Sequence, residues 1–393
     1  MLNIGFDLDP NIKVCTKCIY DERVSSISFD ENGICNYCHQ TDALSKQYAT
    51  GQIEGNLNFK QIIEKIKWDG KKKKYDCIIG VSGGTDSSYM LHKAVTEWGI
   101  RPLAVHYDNT WNTSIATQNI SKVLEKLKVD LYTHVVDNKE ADDIFASFFR
   151  ASVAEIDAST DLALAEVMYR AAWKYNVKYI LEGHSFLTEG ITPVGRNFFD
   201  GKYIKSIHSK YGKIKMTSYP LMDFKRFIFW TAIARIKKIR PFWYINYSKE
   251  DARKLLEQQY NWKYYGGHHL ENRMTAFYHS IYLPQKFTTD LRNNTLSALV
   301  RNGKMSRLDA WNEYKKSSYV EEDLVLYFQK RLNLSPNEYI SIMETPSKSW
   351  YEFPTYKKYF EILRPLFKLL ADANLVPRSF YIKYCFPIEF KNK

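Results

Sequence analysis

The feature that most constrains this chain is the stretch YDCIIGVSGGTDSS at residues 75–88. Its apolar residues at 77–81 leave little polar surface to face water, which is typical of a short buried strand. The run stops at the glycine turn 82–84, where bare backbone can approach a ligand closely. Apolar residues then recur at helical spacing over 90–98. The stretch therefore predicts a buried strand, a glycine turn and the beginning of a helix.

This arrangement predicts an anion site, because unpaired N–H groups and the positive end of the helix dipole converge there. It is not the Walker loop, since no Lys-Ser/Thr pair follows the glycines. The alternative is an ordinary glycine turn without a ligand. Asp86 either caps the helix or holds Mg²⁺ against phosphates. The residues expected to bind the phosphates are Ser82, Gly83, Gly84, Thr85, Asp86, Ser87 and Ser88.

The loop resembles the SGGxDS loop of the PP-loop ATP pyrophosphatases, the adenine nucleotide alpha-hydrolase-like superfamily. The resemblance implies ATP and Mg²⁺ as cofactors. It also implies that ATP is split between its α and β phosphates, that AMP passes to a carbonyl oxygen, and that pyrophosphate is released.

Four cysteines near the N-terminus form two CxxC pairs, with sixteen residues between the pairs. This spacing is a strong signal for a tetrahedral Zn²⁺ site with four thiolate ligands. Four sulfur ligands leave no open position for a catalytic water, so we expect the zinc to be structural. Disulfides are the alternative, and a reducing compartment disfavours them. The predicted ligands are Cys15, Cys18, Cys35 and Cys38.

The chain has 393 residues, a formal net charge of +12 and 45% hydrophobic residues, which suits two domains and a small module. The positive charge suits nucleic acid, and equally a polyanionic small substrate beside ATP. No secretory signal or membrane-spanning segment is evident, so the expected compartment is the cytoplasm. Residues 227–239 come nearest to a membrane-spanning run, but Arg235, Lys237 and Lys238 interrupt it. We expect an amphipathic helix packed on the core, and docking on a membrane surface is the alternative.

Strands expected at 101–108, 131–137 and 177–183 alternate with helices, which favours an α/β fold with a parallel sheet. The predicted architecture is a Rossmann-like PP-loop domain with an N-terminal zinc ribbon and a mainly helical C-terminal region. The predicted boundaries are 1–50 for the ribbon, 51–225 for the ATP-binding domain and 226–393 for the helical region that binds substrate and partners.

Ligands of parallel sheets bind at the carboxyl ends of the strands. This rule gathers several polar segments at the edge that carries the glycine loop. His106 and Asp108 end the second strand, where the superfamily resemblance implies adenine and ribose contacts, and a plain polar strand end is the alternative. Gly183 follows the fourth strand and lets the backbone come near the nucleotide. Glu189 is expected to hold the metal or neighbouring amides.

A second informative block spans residues 262–307 and contains YYGGHHLEN, PQKFTTDLR and GKMSR. The block also contains His269, Glu271 and three basic residues, Lys286, Arg292 and Arg307.

Together, the four-cysteine ribbon, VSGGTDSS, GHSFLTEG and the 262–307 block resemble the N-acetyl sugar amidotransferase family of surface-polysaccharide (O-antigen) biosynthesis. The resemblance covers roughly residues 12–310. Departures are His268, where the family pattern more often has Lys, and Asn272, which replaces a small hydroxyl residue. The resemblance implies a nucleotide-linked N-acetyl sugar as substrate. Adenylation of its acetamido oxygen would make AMP the leaving group, and ammonia would replace it to give an acetamidino group.

In this reaction His269 is a candidate to move a proton from ammonia, with Glu271 orienting it, and the alternative is a structural His–Glu pair. Lys286, Arg292 and Arg307 are the candidates for contacts to the sugar nucleotide or a carboxylate of the substrate. The alternative for each of these three residues is an ordinary surface or salt-bridge role.

The two cysteines outside the ribbon lie in no Cys/His nucleophile setting, so we expect ammonia from another polypeptide. Similar systems use a separate class I glutaminase and a cyclase-like subunit, and we expect no nucleic-acid partner. Three alternatives remain open. They are a PP-loop tRNA thiolase, amidation of a sugar uronic-acid carboxylate to a carboxamide, and a non-enzymatic module that senses nucleotide or binds RNA.

Overall fold

The structure is a computed structural model that describes residues 12–386, apart from 194–197, 268–269, 319, 374–375 and 377. A five-stranded sheet lies at its centre, in the order β3-β2-β1-β4-β5. The strands are β1 (Cys77–Gly80), β2 (Pro102–Asp108), β3 (Leu131–Val135), β4 (Tyr179–Leu181) and β5 (Lys237–Ile239). The helices that precede β5 are α1 (Asn36–Tyr48), α2 (Ile53–Gly70), α3 (Thr85–Thr96), α4 (Ser114–Leu127), α5 (Asn138–Ala151), α6 (Ala158–Lys174), α7 (Gly201–Tyr211) and α8 (Phe224–Ile228).

Among the described residues beyond β5, every regular element is a helix, and loops connect these helices. The helices there are α9 (Lys249–Tyr260), α10 (Arg273–Phe277), α11 (Leu283–Phe287), α12 (Arg292–Arg301), α13 (Arg307–Lys315), α14 (Leu324–Arg331), α15 (Pro336–Glu344), α16 (Lys357–Ile362), α17 (Arg364–Asp372) and α18 (Arg378–Cys385). Among the described residues, no helix combines the length and the apolar character needed to cross a membrane.

All strand pairs of the sheet are parallel. Strand β1 is central, with Ile79 opposite Ala104 of β2 on one side and opposite Leu181 of β4 on the other. The chain moves outward from β1 through β2 to β3, and then returns to place β4 on the far side of β1. In open parallel sheets such a switch point opens a crevice at the carboxyl ends of the two strands. The loops that follow β1 and β4 therefore flank one crevice, and the predicted parallel α/β fold is confirmed.

The two faces of the sheet are buried in separate apolar cores. On β1, Ile78 belongs to one core, while Cys77 and Ile79 belong to the other, as the two-residue period of a strand requires. The Cys77 face packs under α3, α4 and α9. The Ile78 face packs under α5 and α6 and extends into the C-terminal helices. Burial on both faces explains why the central strands β1 and β4 are apolar runs. The edge strand β3 instead alternates exposed and half-buried residues.

The amphipathic helix expected over residues 227–239 is wrong in its last part. Helix α8 continues as a π-helix over Phe229–Ile233, Arg235 then takes a φ of 53°, and the chain re-enters the sheet as β5. Strand β5 contains two lysines, and lysine has a low propensity for β-strands. The Lys238 side chain, however, forms an ion pair with Glu182, which directly follows β4. Lysine is common on exposed edge strands, where charge discourages pairing with other chains. Tertiary pairing therefore overrides the local helical pattern.

The predicted domain boundaries stay a prediction, although two elements beyond residue 225 join the α/β part. Strand β5 pairs with β4. Helix α9 contributes Ala252 and Leu256 to the core beneath α3.

Candidate active site at the carboxyl edge of the sheet

The turn after β1 is built around Gly83, which has a φ of 79°. A Cβ atom at this position would lie 2.2 Å from the carbonyl oxygen of Ala116, so the turn packs directly on the first turn of α4. The Gly83 carbonyl accepts hydrogen bonds from Trp262 Nε1 at 3.0 Å and from Asn119 Nδ2 at 3.3 Å. Only glycine fits this backbone, and contacts from two segments, α4 and the chain around Trp262, hold it in place.

Helix α3 begins directly after this turn, with Gly84 as its N-cap. Ser82 is exposed, and its Oγ lies 3.4 Å from the Ser87 Oγ and 3.3 Å from the backbone nitrogen of Gly84, which donates to it. Thr85 and Ser88 are buried, and the Ser88 amide donates to the Gly84 carbonyl within the first turn. The predicted phosphate-binding residues thus surround one helix N-terminus, which is a favourable place for an anion.

Asp86 lies in the first turn of α3, but it does not cap the helix. Its carboxylate accepts a hydrogen bond from the Tyr247 hydroxyl and forms an ion pair with Lys249 Nζ at 2.7 Å. Glu189 lies 3.5 Å from the same Nζ, so Lys249 bridges the two carboxylates. Burial alone would raise the pKa of Asp86, but the Lys249 charge and the two hydrogen bonds outweigh it and lower that pKa.

Lys249 stays a cation at this position. Burial disfavours the charged amine, but the nearby carboxylates of Asp86 and Glu189 raise the pKa of Lys249 above its ordinary range. The structure therefore brings together the two acidic residues that the sequence predicted, from the loops after β1 and β4. Carboxylate oxygens are ligands that Mg²⁺ prefers, so Asp86 and Glu189 are the residues that could hold it beside the phosphates.

The loop after β4 closes the other side of the crevice. A Cβ atom on Gly183 would lie 3.3–3.4 Å from the backbone and Cβ of Asp86, so glycine allows this loop to pack closely on the first turn of α3. The approach of Gly183 to a nucleotide stays a prediction. Next to it, Lys238 and Arg240 pair with Glu182 at 2.6 and 3.1 Å. Burial alone would raise the pKa of Glu182, but these two cations lower it to about 2.

Histidine 184 follows in the same loop. Burial and the charge of Arg240 lower the pKa of His184 to about 4, so its ring is neutral near pH 7. Trp243 Nε1 donates to His184 Nδ1 at 3.3 Å, which leaves the proton on Nε2, 3.9 Å from a Glu189 oxygen.

Glu271 approaches the glycine turn from the far side. It is buried, and one carboxylate oxygen accepts from the Ser82 hydroxyl at 3.5 Å. A Cβ atom at Gly84 would lie 3.0 Å from that oxygen and 3.1 Å from the Tyr265 hydroxyl. Glu271 therefore reaches the phosphate loop, although it lies about 190 positions away in the sequence. Its expected partner His269 lies outside the described residues, as does His268.

His106 and Asp108 lie at the end of β2 and have protein partners. His106 is buried, its Nδ1 donates to the Val81 carbonyl at 2.8 Å, and its Nε2 accepts from Asn112 Nδ2 at 3.3 Å. Asp108 accepts from the Thr110 amide at 2.7 Å. His106 thus braces the strand beneath the glycine turn, and nucleotide contact by either residue stays a prediction.

The structure does not bring the three predicted substrate cations to the phosphate loop. Lys286 Nζ donates to the carbonyls of Ile342, Met343 and Thr345 at 2.5–3.1 Å and so caps the C-terminus of α15. Arg292 forms an ion pair with Asp290 at 2.6 Å. Arg307 donates to the carbonyls of Cys18 and Cys15 at 3.0 and 2.9 Å. All three hold the protein together, so their substrate role has no support from the structure.

Sequence reasoning missed three residues of this site: Tyr247, Lys249 and Tyr265. The one local signal was Ser248, an N-cap residue whose Oγ accepts from the Asp251 amide and so fixes where α9 begins. Lys249 is the first residue of that helix. Because α9 packs on α3, its first turn lies beside the first turn of α3, which no local pattern could reveal.

The four predicted metal ligands lie together, and residues 14–38 around them form the four-cysteine module. Their sulfur atoms lie within 4.8 Å of one another, with neighbouring Sγ–Sγ distances of 3.6–3.8 Å. Disulfide bonds require sulfurs about 2.05 Å apart, so all four are free thiols. Zn–S bonds of about 2.3 Å place the sulfurs of a tetrahedral site about 3.8 Å apart. The donor set and its spacing therefore fit one tetrahedral metal ion.

A family model described as "LPS biosynthesis protein WbpG-like, C-terminal domain" matches residues 271–366. This segment begins at Glu271 of the site and continues through the C-terminal helices. A curated relative, the uncharacterized protein MJ1599 of Methanocaldococcus jannaschii, is 27% identical over 173 residues, which is 43% of this chain and 58% of the relative. The chain thus spans less than two thirds of the length of that relative.

Solved structures with similarity include an NMN synthetase from Francisella tularensis, at 14% identity and a TM-score of 0.28, covering 67% of this chain and 98% of that one. An NH3-dependent NAD synthetase from Campylobacter jejuni has 9% identity and a TM-score of 0.33, covering 70% and 91%. The U34-tRNA thiolase NcsA from Methanococcus maripaludis, solved with its [4Fe-4S] cluster, has 15% identity and a TM-score of 0.31, covering 82% and 88%. Scores this low say nothing about the activity of this chain.

Proposed function

We propose that this protein is an ATP-dependent amidotransferase of surface-polysaccharide biosynthesis. It adenylates the acetamido oxygen of a nucleotide-linked N-acetyl sugar, replaces that oxygen with ammonia to give an acetamidino group, and releases AMP and pyrophosphate. The observation that carries the proposal is the glycine turn at the helix α3 N-terminus, with Asp86 and Glu189 beside it. The WbpG-like match over residues 271–366 supports the lipopolysaccharide context.

The chemistry needs a better leaving group than the acetamido oxygen. Transfer of AMP supplies one, because ammonia can then displace a phosphate ester rather than a bare oxygen. The helix N-terminus and the hydroxyls of Ser82 and Ser87 would stabilise the charge that develops on the departing pyrophosphate. The cationic amine of Lys249, which pairs with Asp86 in the first turn of α3, would add positive charge near the same phosphates. Most of the catalysis is then positioning and charge stabilisation.

Mg²⁺ and Zn²⁺ complete the proposal. Asp86 and Glu189 would hold Mg²⁺, which supplies charge neutralisation at the phosphates. The four cysteine sulfurs would hold Zn²⁺ in a closed, structural site. A cubane iron–sulfur cluster would spread its thiolates much further apart than the 3.6–3.8 Å found between neighbouring sulfurs.

The alternative of a tRNA thiolase requires a pair of reactive thiols, and the cysteines of this chain do not provide one. Outside the module the chain has only Cys77 and Cys385, and both are fully buried. Burial raises the pKa of Cys77 well above its ordinary value and that of Cys385 to about 11. Neither sulfur is a thiolate near pH 7, which also argues against glutamine hydrolysis on this chain. We therefore retain a separate class I glutaminase and a cyclase-like subunit as the proposed source of ammonia.

The deciding experiment measures pyrophosphate release from ATP and Mg²⁺ at high ammonium concentration. UDP- and CMP-linked N-acetyl sugars, the matching uronic-acid sugars and bulk tRNA serve as separate acceptors. Mass spectrometry would identify the acetamidino product, in which NH replaces the acetamido oxygen. Pyrophosphate release that occurs only with uronic-acid sugars would favour carboxamide formation, and release that occurs only with tRNA would favour the thiolase. An Asp86→Asn variant with full activity would refute the role of that carboxylate.

A further inference from the structure

Helix α12 joins the four-cysteine module to the loop after β4, and one arginine on it reaches the sulfurs themselves. Arg301 is 8% exposed, and its Nε and Nη2 atoms lie 3.4 Å from Cys38 Sγ and 3.2 Å from Cys18 Sγ. Its guanidinium carbon also lies 4.3 Å from the centre of the Tyr20 ring. A buried cation is costly unless it is paired, and the cysteine sulfurs are its negatively polarised partners here.

A tetrahedral metal site with four thiolates carries two negative charges when the ion is divalent. One guanidinium that donates to two of the sulfurs removes part of that excess in a water-poor environment. Such contacts to metal ligands orient the ligands and tune metal affinity. Arg307 differs in kind, because it donates to the carbonyl oxygens of Cys15 and Cys18 rather than to sulfur.

The module is fixed to the same helix by apolar and polar contacts. Ile19, between the first and second CxxC pairs, is fully buried with Leu296 of α12 and with Ala310 of α13. The Tyr20 hydroxyl donates to the Asn294 side chain at 2.9 Å. The module therefore packs on the segment that carries the WbpG-like match, rather than standing apart from it.

The same helix α12 also contacts the loop that carries Glu189. A Cβ atom on Gly190, which has a φ of 82°, would lie 2.8 Å from the Asn294 carbonyl oxygen. Just past the end of α12, the Asn302 side chain donates to the Leu187 carbonyl. These two contacts lie on either side of Glu189, so the position of α12 sets where that carboxylate meets Lys249.

We propose that Arg301 is a positioning residue of the metal centre and that α12 transmits the placement of this centre to Glu189. The proposal rests on the thiolate-bound metal suggested above, but not on the sugar reaction. Removal of Arg301 should weaken metal retention, and loss of the metal should loosen residues 185–190.

The test compares Arg301→Met, Arg301→Lys and the matched control Arg307→Met in the full chain. Metal content is measured first, followed by the rate of metal transfer to a coloured chelator. Arg301→Met should release metal about 10-fold or more faster than the unmodified protein, the range typical of outer partners of metal ligands. The rate of metal release from Arg301→Lys should lie between the rates of the unmodified protein and Arg301→Met. Arg307→Met should change this rate by less than about threefold. Equal rates for Arg301→Met and Arg307→Met would overturn the role of Arg301.

The second arm uses hydrogen exchange to follow the loop. The Glu189 amide donates to the Ser185 carbonyl at 2.9 Å, so its exchange reports whether this loop opens. Exchange over residues 185–190 should accelerate in Arg301→Met and in metal-stripped protein, while β2 should not change. Unchanged exchange after stripping would overturn the link to Glu189.

Two further readouts keep the outcome decisive. If Arg301→Met does not fold, Arg301→Lys with Co²⁺ in the site still tests the contact, because its thiolate-to-cobalt absorption band should shift while that of Arg307→Met should not. A wild-type protein without thiolate-bound metal overturns the metal assignment and this proposal together. Failure of the sugar reaction with the metal intact refutes only the proposed function.

Discussion

Replacement of Gly83 by alanine tests the architecture of the phosphate loop most directly. Gly83 has a φ of 79°, and an added Cβ would lie 2.2 Å from the backbone oxygen of Ala116. The left-handed backbone costs a non-glycine residue about 1–2 kcal/mol. Forcing an extra carbon against packed backbone adds about 1–3 kcal/mol. The expected loss in the free energy of unfolding is therefore about 2–5 kcal/mol.

Gly99→Ala is the matched control, because Gly99 also has a positive φ, 60°, but no tight contact. Its added Cβ would lie 3.9 Å from the nearest atom, Lys67 Nζ. This variant should lose only the backbone term of about 1–2 kcal/mol. The two variants thus share the backbone strain and differ in the steric clash.

Urea unfolding followed by tryptophan fluorescence measures the difference, with Trp262 as a buried reporter that donates to the Gly83 carbonyl. A fluorescent ATP analogue then reports nucleotide binding. We expect Gly83→Ala to be less stable than Gly99→Ala and to lose nucleotide binding, while Gly99→Ala keeps it. Equal stability of the two variants, or unimpaired binding by Gly83→Ala, would refute the packing described for this turn.

Three further predictions concern charged groups. Lys249→Met should slow pyrophosphate release about 100-fold by leaving Asp86 without its cation; steady-state release measures this, and full activity would contradict it. Because its pKa is lowered to about 2, Glu182 should add about 3 kcal/mol to the free energy of unfolding at neutral pH, and this contribution is lost as the pH falls from about 4.5 through about 2. The difference in free energy of unfolding between the unmodified protein and Glu182→Gln, measured with urea, should therefore shrink between pH 7 and pH 3. A constant difference would contradict the prediction. Lys286→Met should cost about 1–2 kcal/mol by uncapping α15, with an unchanged KM for the sugar; a raised KM would restore its predicted substrate role.

The glycine loop, the parallel sheet and the cysteine site could be predicted because their signals are local. A buried strand followed by glycines and a helix leaves one conformation for the backbone, and Gly83 has it. Two CxxC pairs need only a short chain reversal to bring four sulfurs together. The edge rule for parallel sheets then placed Glu189 beside Asp86 without any knowledge of side-chain contacts.

The remaining part of the site could not be predicted, because a basic residue looks the same in sequence whatever it contacts. Lys286 caps a helix, Arg307 holds two cysteine carbonyls, and Lys249 bridges two carboxylates in the crevice. Only tertiary packing separates these roles. The same holds for β5, where pairing with β4 overrides a helical pattern and supplies Lys238 to Glu182.

Under the proposed function, the charges of the crevice predict that a cation accompanies the nucleotide. Asp86 and Glu189 lie beside a helix N-terminus, which would attract phosphate oxygens that the carboxylates repel. Two unit charges 4 Å apart near a protein surface interact with about 4 kcal/mol, so each carboxylate alone could offset what a helix terminus contributes. Lys249 supplies one positive charge against the two negative charges of Asp86 and Glu189. A divalent ion carried in with ATP would bring these charges closer to balance and leave the Lys249 amine available to the phosphates. Under the proposed function, we therefore expect the site to prefer metal-bound nucleotide over free nucleotide.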